Sequence, residues 1–124
     1  MSILNDRARL LTLGTWAAMA FVSLIMLAGA FAKFTSNPQV VEGFQKLGTP
    51  GWFMLFIGAS ELAGAFGIWL RQTSMLAALG IGIIMVGAIY FHIVFSPLTS
   101  AIPAILVLAV CGYIVWRRGT GVIG

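Results

Sequence analysis

Four long runs of apolar residues divide the chain, at about residues 10–32, 52–70, 75–95 and 101–116. An α-helix rises about 1.5 Å per residue and the hydrocarbon core of a bilayer is ~30 Å thick. The runs therefore have the length of membrane-spanning helices, and the fourth, the shortest, has the least certain ends. The pattern predicts an all-α fold: one transmembrane domain, residues 1–124, built as an integral membrane four-helix bundle.

The first run has a second interpretation, as a cleaved secretory leader, because Ala28, Gly29 and Ala30 are small enough for a peptidase site. Its length, the preceding arginines and the three later runs favour a retained helix. The second and third runs are separated by a few residues around Gln72 and Thr73, which predicts a tight antiparallel hairpin.

The connection between the first two runs contains a short helix of its own. Asn37 before Pro38 is typical of a helix start and Gly48 of a helix end. Apolar residues between them recur at helical spacing, so we expect an amphipathic helix lying on the outer membrane surface. We favour a cover that closes the bundle over the alternative, a lid above an outward-facing cavity.

Composition places the chain in the membrane class. Sixty per cent of residues are hydrophobic and 8% charged, far from the usage of soluble domains. The net charge of +4 is no argument for a nucleic-acid partner, because the basic residues lie at the ends of the apolar runs as topology anchors. Five arginines fall on one side (Arg7, Arg9, Arg71, Arg117 and Arg118) and Lys33 and Lys46 on the other, which predicts that both termini are cytoplasmic. We expect a multi-pass protein of a bacterial-type cytoplasmic (inner) membrane.

The inventory of redox and metal ligands is small. Cys111 is the only cysteine and His92 the only histidine. An internal disulfide, a CxxC pair, a tetrahedral zinc site and bis-histidine haem ligation within one subunit are therefore excluded. We expect no metal site, and any redox cofactor would be diffusible, borrowed or shared between subunits.

Glu61 lies near the middle of the second run, where an acidic side chain costs roughly 2.5 to 3.5 kcal/mol. It should point into the bundle, either as a structural hydrogen-bonding group or as a proton-handling or ligand-binding group. His92 and Lys33 lie in the same outer half. Lys33 has two alternatives: it snorkels toward the headgroups, which is the default expectation, or it turns inward toward Glu61. Three ionisable residues from three helices predict a small polar site open toward the outer face.

Small residues predict where helices meet, because helices in lipid associate by close packing. Ala59, Ala63 and Gly67 recur every fourth residue in the second run, where Gly58 and Gly64 widen the stripe. Ala78 and Gly82 do the same in the third run, beside Gly80. We expect these two faces to pack against each other.

Three segments and one histidine together resemble the DoxX-like family of small four-span membrane proteins. They are Gly29–Phe34, Leu47–Trp52 with its glycine-x-proline, Ile57–Gly64 around the intramembrane glutamate, and His92. The resemblance implies an accessory protein or subunit of a membrane oxidoreductase system, such as a thiosulfate:quinone oxidoreductase, and carries over Lys33, Glu61 and His92 as the polar site. A quinone is then a candidate ligand, because imidazole and carboxyl groups can hydrogen-bond or protonate its oxygens.

Other functions stay open, and no residue is assigned to catalysis. A proton-coupled small-molecule transporter also fits an intramembrane glutamate, although small multidrug exporters carry theirs in the first helix, and fluoride channels lack the lysine, glutamate, histidine order. A structural or chaperone-like membrane subunit, with a partner subunit or as a homo-oligomer, and an isomerase using Glu61 and His92 are further alternatives.

Overall fold

Five α-helices account for most of the chain. The computed structural model describes the backbone of residues 2–119 and the side chains of residues 6–97 and 99–117, so the Arg118 side chain lies outside the described part. The helices are α1 (Ser2–Phe34), α2 (Pro38–Leu47), α3 (Gly51–Gly67), α4 (Ser74–Phe95) and α5 (Ile102–Gly119), with a 3-10 turn at Leu98–Ala101. No strand occurs within residues 2–119. The predicted all-α membrane bundle with a short helix between the first two apolar runs is confirmed.

The four apolar helices differ in length from the runs that predicted them. Three segments are long and apolar enough to cross a membrane: α1, α4 and Thr99–Arg117, which includes most of α5. Helix α3 is also apolar but has only 17 residues, a length of about 25 Å. Helix α3 ends at Gly67 rather than near residue 70, because the chain turns there and the Thr73 hydroxyl donates to the Gly67 carbonyl oxygen at 2.7 Å.

Helix α1 packs mainly along α3, and α4 packs mainly along α5. Apolar side chains from all four helices fill the space between these pairs, including Met19, Val22, Ile68, Ile81, Val107 and Ile114. Helix α1 also contacts α5. The bundle therefore consists of two antiparallel pairs that share one core. We call the end that holds Lys33 and α2 the lysine end, and the end that holds Arg71 and Arg117 the arginine end.

The predicted packing of small residues holds only in part for α3. A methyl group added at Gly64 would lie 2.9 Å from Ile81 of α4, and one added at Gly67 would lie 3.5 Å from Ala77. Ala59 and Ala63 are exposed, and the buried face instead follows Met54, Gly58 and Glu61. Turning Glu61 inward avoids placing a carboxyl group in lipid, and this preference sets the rotation of the helix. In α4 the small residues are buried as expected, but they face α5: a methyl group added at Gly82 would lie 3.5 Å from Leu108.

Helix α2 begins and ends at the residues that the sequence indicates. The Asn37 side chain accepts a hydrogen bond from the Gln39 backbone N–H at 3.0 Å, and Gly48 ends the helix with φ +72°. None of its residues is fully buried. Its half-buried side contacts the bundle through Phe44 and through Gly43, which lies under the Phe91 ring of α4. The helix therefore rests on the lysine end of the bundle.

Candidate functional site

A buried ion pair joins α1 to α3. Lys33 Nζ lies 2.7 Å from Glu61 Oε1, and the two side chains are 13% and 5% exposed. Apart from this contact, Oε1 has no hydrogen-bond partner in the described part of the chain. Lys33 therefore turns into the bundle, contrary to the expectation that it snorkels to the surface, because a buried carboxylate without a partner costs more than bending one flexible lysine.

Two glycines make room for the two charged side chains. A methyl group added at Gly29 of α1 would lie 2.7 Å from Glu61 Oε2, and one added at Gly58 of α3 would lie 3.1 Å from Lys33 Cβ. Because the helices are antiparallel, Gly29 is level with Glu61, and Gly58 is level with Lys33. Each helix thus supplies one charge and one gap for the charge of the other.

Aromatic side chains cover this pair on the side of α2. The Lys33 ammonium lies 6.0 Å from the centroid of the Phe44 ring, within the range of a cation–π contact. Phe44 in turn makes an edge contact with Phe53 of α3, with centroids 6.1 Å apart. The surface helix therefore contributes directly to the surroundings of the charged pair.

His92 stands apart from the other two predicted site residues. No hydrogen bond or ion pair in the described part joins it to Lys33 or Glu61, and its Nδ1 is buried without a hydrogen-bond partner. Its ring makes an edge contact with Phe91, the residue that packs on Gly43 of α2. The structure thus brings Lys33 and Glu61 together, and places His92 at the same end of the bundle.

A second buried polar cluster lies at the arginine end, where the sequence predicts only flanking charges. Arg117 is 3% exposed and its Nε donates to Thr15 Oγ1 at 3.2 Å; the Thr15 hydroxyl is also 3.2 Å from the Tyr113 hydroxyl. This cluster ties α1 to α5. The sequence signal for it was two polar residues, Thr15 and Tyr113, inside otherwise apolar runs.

A further hydrogen-bond chain connects α1 with α3 between the two ends. Trp69 Nε1 donates to Ser23 Oγ at 2.8 Å, and the Ser23 hydroxyl donates to the Ala65 carbonyl oxygen at 2.9 Å. These contacts fix the register of the two helices. Within the described residues, no three histidine, cysteine, aspartate or glutamate side chains come together as a metal site would require.

Comparison with known proteins agrees with the resemblance in the sequence. The model of the DoxX-like family matches residues 12–114. A relative in Bacillus subtilis (strain 168), the uncharacterized protein YdgD, is 35% identical over 88 residues, which cover 68% of this chain and 76% of that protein. No solved structure matches. The family match covers most of the chain, and it agrees with the four apolar helices and with the buried lysine and glutamate. This membrane protein therefore belongs to the DoxX-like family.

Proposed function

We propose that this protein is an accessory subunit of a membrane oxidoreductase system and that its Lys33–Glu61 pair binds a quinone-type ligand. The observation that carries the proposal is a lysine and a glutamate in ion-pair contact at 2.7 Å inside an apolar bundle. Burying two charges is expensive, and an apolar pair of similar size would hold the helices at least as well. A functional requirement for these groups explains why they are there.

The two groups offer complementary chemistry to a quinone. The Lys33 ammonium is a hydrogen-bond donor, which suits a carbonyl oxygen, and the Glu61 carboxyl group can accept and release a proton. Reduction of a quinone to a quinol takes two electrons and two protons. The electrons would come from a partner oxidoreductase subunit, and this chain would contribute proton transfer, with the unpartnered Nδ1 of His92 as a second proton carrier at the same end.

Binding of decylubiquinone to the purified protein in detergent tests the proposal. We expect Glu61→Gln to lower the affinity at least tenfold and His92→Ala to lower it less, because His92 lies outside the pair. Glu42→Gln, an exposed acid on α2, is the matched control and should leave the affinity unchanged. Unchanged affinity in both Glu61→Gln and His92→Ala would exclude the quinone site.

The fit of Gly29 and Gly58 around the pair favours a second candidate, a structural or chaperone-like subunit in which the charges only hold α1 to α3. In that case a partner protein or a second copy should co-purify in fixed stoichiometry, and the Glu61→Gln variant should assemble but be less stable. Proton-coupled flux into liposomes that is lost in Glu61→Gln would instead assign transport to the same residue.

We also propose that the protein lies in a bacterial-type inner membrane with both termini in the cytoplasm. The arginines at the arginine end support this orientation, because basic residues are enriched on the cytoplasmic side of membrane helices. The Lys33–Glu61 pair and α2 would then belong to the outer half of the membrane. A quinone dissolved in the bilayer would reach them from the lipid.

A further inference from the structure

A cavity of about 210 Å³ lies between α2 and the start of α3. Four of its lining residues are apolar (Val41, Phe44, Pro50 and Met54), and two are polar (Gln45 and Thr49). Pockets for drug-sized ligands start at about 300 Å³, so this volume suits a single ring with any long substituent left outside. The cavity combines apolar walls with polar groups at the lysine end of the bundle.

The cavity adjoins the surroundings of the charged pair at Phe44 and Met54. Phe44 lines it and also lies over the Lys33 ammonium, 6.0 Å from ring centroid to Nζ. Met54 lines it from α3, one turn before Gly58, the glycine that leaves room for the Lys33 side chain. Phe44 therefore belongs both to the cavity wall and to the surroundings of the pair, and the flexible Met54 thioether lies on the neighbouring turn of α3.

We propose that this cavity is the chamber that receives the ring of the ligand, an inference that rests on the quinone site proposed above. The ligand class is a neutral monocyclic diketone with an apolar tail. Its ring packs on Phe44, Val41 and Met54, and one carbonyl oxygen accepts from the Gln45 amide at the mouth. The opposite carbonyl oxygen is then directed past Phe44 toward the Lys33 ammonium, which donates to it. The Thr49 hydroxyl already donates to the Phe44 carbonyl oxygen at 3.1 Å and serves to fix that wall.

Tryptophan fluorescence can locate the ligand, because quinones quench indole emission at short range. The chain has four tryptophans. Trp52 directly follows Gly51, which lines the cavity, whereas Trp16 and Trp69 contact each other in the other half of the bundle. With decylubiquinone in detergent, we expect a saturable quenching component that disappears in Trp52→Phe and persists in Trp16→Phe.

Two substitutions on α2 test whether the cavity itself is occupied. Val41→Phe fills the cavity, while Val40→Phe changes the neighbouring residue, also a half-buried valine, which does not line it. We expect Val41→Phe to raise the dissociation constant at least tenfold and Val40→Phe to change it less than twofold. Circular dichroism of both variants checks that they remain folded.

The outcomes separate the two proposals. If Glu61→Gln abolished saturable binding and Val41→Phe left it intact, the chamber would be overturned while the quinone site stands. The same would follow if the saturable quenching persisted in Trp52→Phe and was lost in Trp16→Phe. Absence of any saturable component in the unmodified protein would overturn both. Loss of binding in Val41→Phe together with loss of quenching in Trp52→Phe supports the chamber.

Discussion

At the scale of single residues, Gly58 beside the ion pair is expected not to tolerate a larger side chain. Gly58→Ala places a methyl group 3.1 Å from Lys33 Cβ, an atom that cannot move without the backbone of α1. We expect a loss of about 1 to 3 kcal/mol in the free energy of unfolding, as for other overpacked interiors. Thermal unfolding in detergent measures it.

Gly87→Ala is the matched control, because a methyl group there meets no atom within 4 Å. Since alanine favours the helix by up to about 1 kcal/mol over glycine, this variant should be neutral or more stable. If Gly58→Ala were as stable as Gly87→Ala, the close approach of α1 and α3 at this level would be wrong.

The ion pair predicts strong coupling between its two members. Lys33→Met leaves the Glu61 carboxylate buried alone, and Glu61→Gln leaves the ammonium without its counter-ion. The double variant removes both charges, so we expect it to be more stable than the sum of the single losses by about 1 to 3 kcal/mol. Additive losses in a double-mutant cycle of thermal stability would show that the charges do not interact.

The sequence alone identifies some of these residues and not others. Glu61 and Lys33 stand out because ionisable groups are rare in apolar runs. Their contact was one of two alternatives for Lys33, and the sequence does not decide between them, because the outcome depends on how far α1 and α3 are rotated about their axes. Arg117 looks like a surface anchor in the sequence, yet it is 3% exposed, since Thr15 of α1 gives it a buried partner 102 positions away.

At the scale of elements, α2 should open independently of the bundle. It has no fully buried residue, and local signals set both of its ends. Gly48→Ala puts a side chain at φ +72° and costs about 1 kcal/mol, and Asn37→Ala removes a cap worth about 0.5 to 2 kcal/mol. We expect both variants to be cleaved faster within residues 36–50 by a non-specific protease, while the unfolding temperature of the bundle stays the same.

Gln39→Ala is the control for this experiment, because the Gln39 side chain is exposed and only its backbone N–H takes part in the cap. An equal rise in cleavage for Gln39→Ala would mean that the cap does not hold α2. These ends were predictable because capping involves neighbours in sequence. The pairing of α4 with α5 through Gly82 was not predictable from the sequence. Small residues show that a helix face packs closely, but they do not show which helix it contacts.

At the scale of the whole molecule, α1 connects the two halves of the bundle. Near the lysine end it holds α3 through Lys33 and Glu61, and near the arginine end it holds α5 through Thr15 and Arg117. Thr15→Val removes the hydroxyl that Arg117 and Tyr113 both contact. We expect a loss of about 1 to 3 kcal/mol in the free energy of unfolding, because the variant removes two hydrogen-bond contacts between α1 and α5, each worth about 0.5 to 1.5 kcal/mol.

Thr12→Val is the control for that variant, since the Thr12 hydroxyl bonds only to the Ala8 carbonyl oxygen of its own helix. If Thr15→Val and Thr12→Val lost the same stability, the cluster would not contribute to the contact between α1 and α5.

The unequal distribution of basic residues between the two ends of the bundle predicts its orientation in the membrane. Cys111 is 2% exposed in the apolar core, so a membrane-impermeant maleimide should not label the unmodified protein. Cysteines introduced at exposed positions can then report each end: Glu42→Cys on α2 and Gln72→Cys in the turn between α3 and α4. Because arginines anchor the cytoplasmic side, intact cells should label Glu42→Cys at once and Gln72→Cys only after permeabilisation. The reverse pattern would place the Lys33–Glu61 pair in the inner half of the membrane, and equal labelling of both would mean that the chain inserts in two orientations.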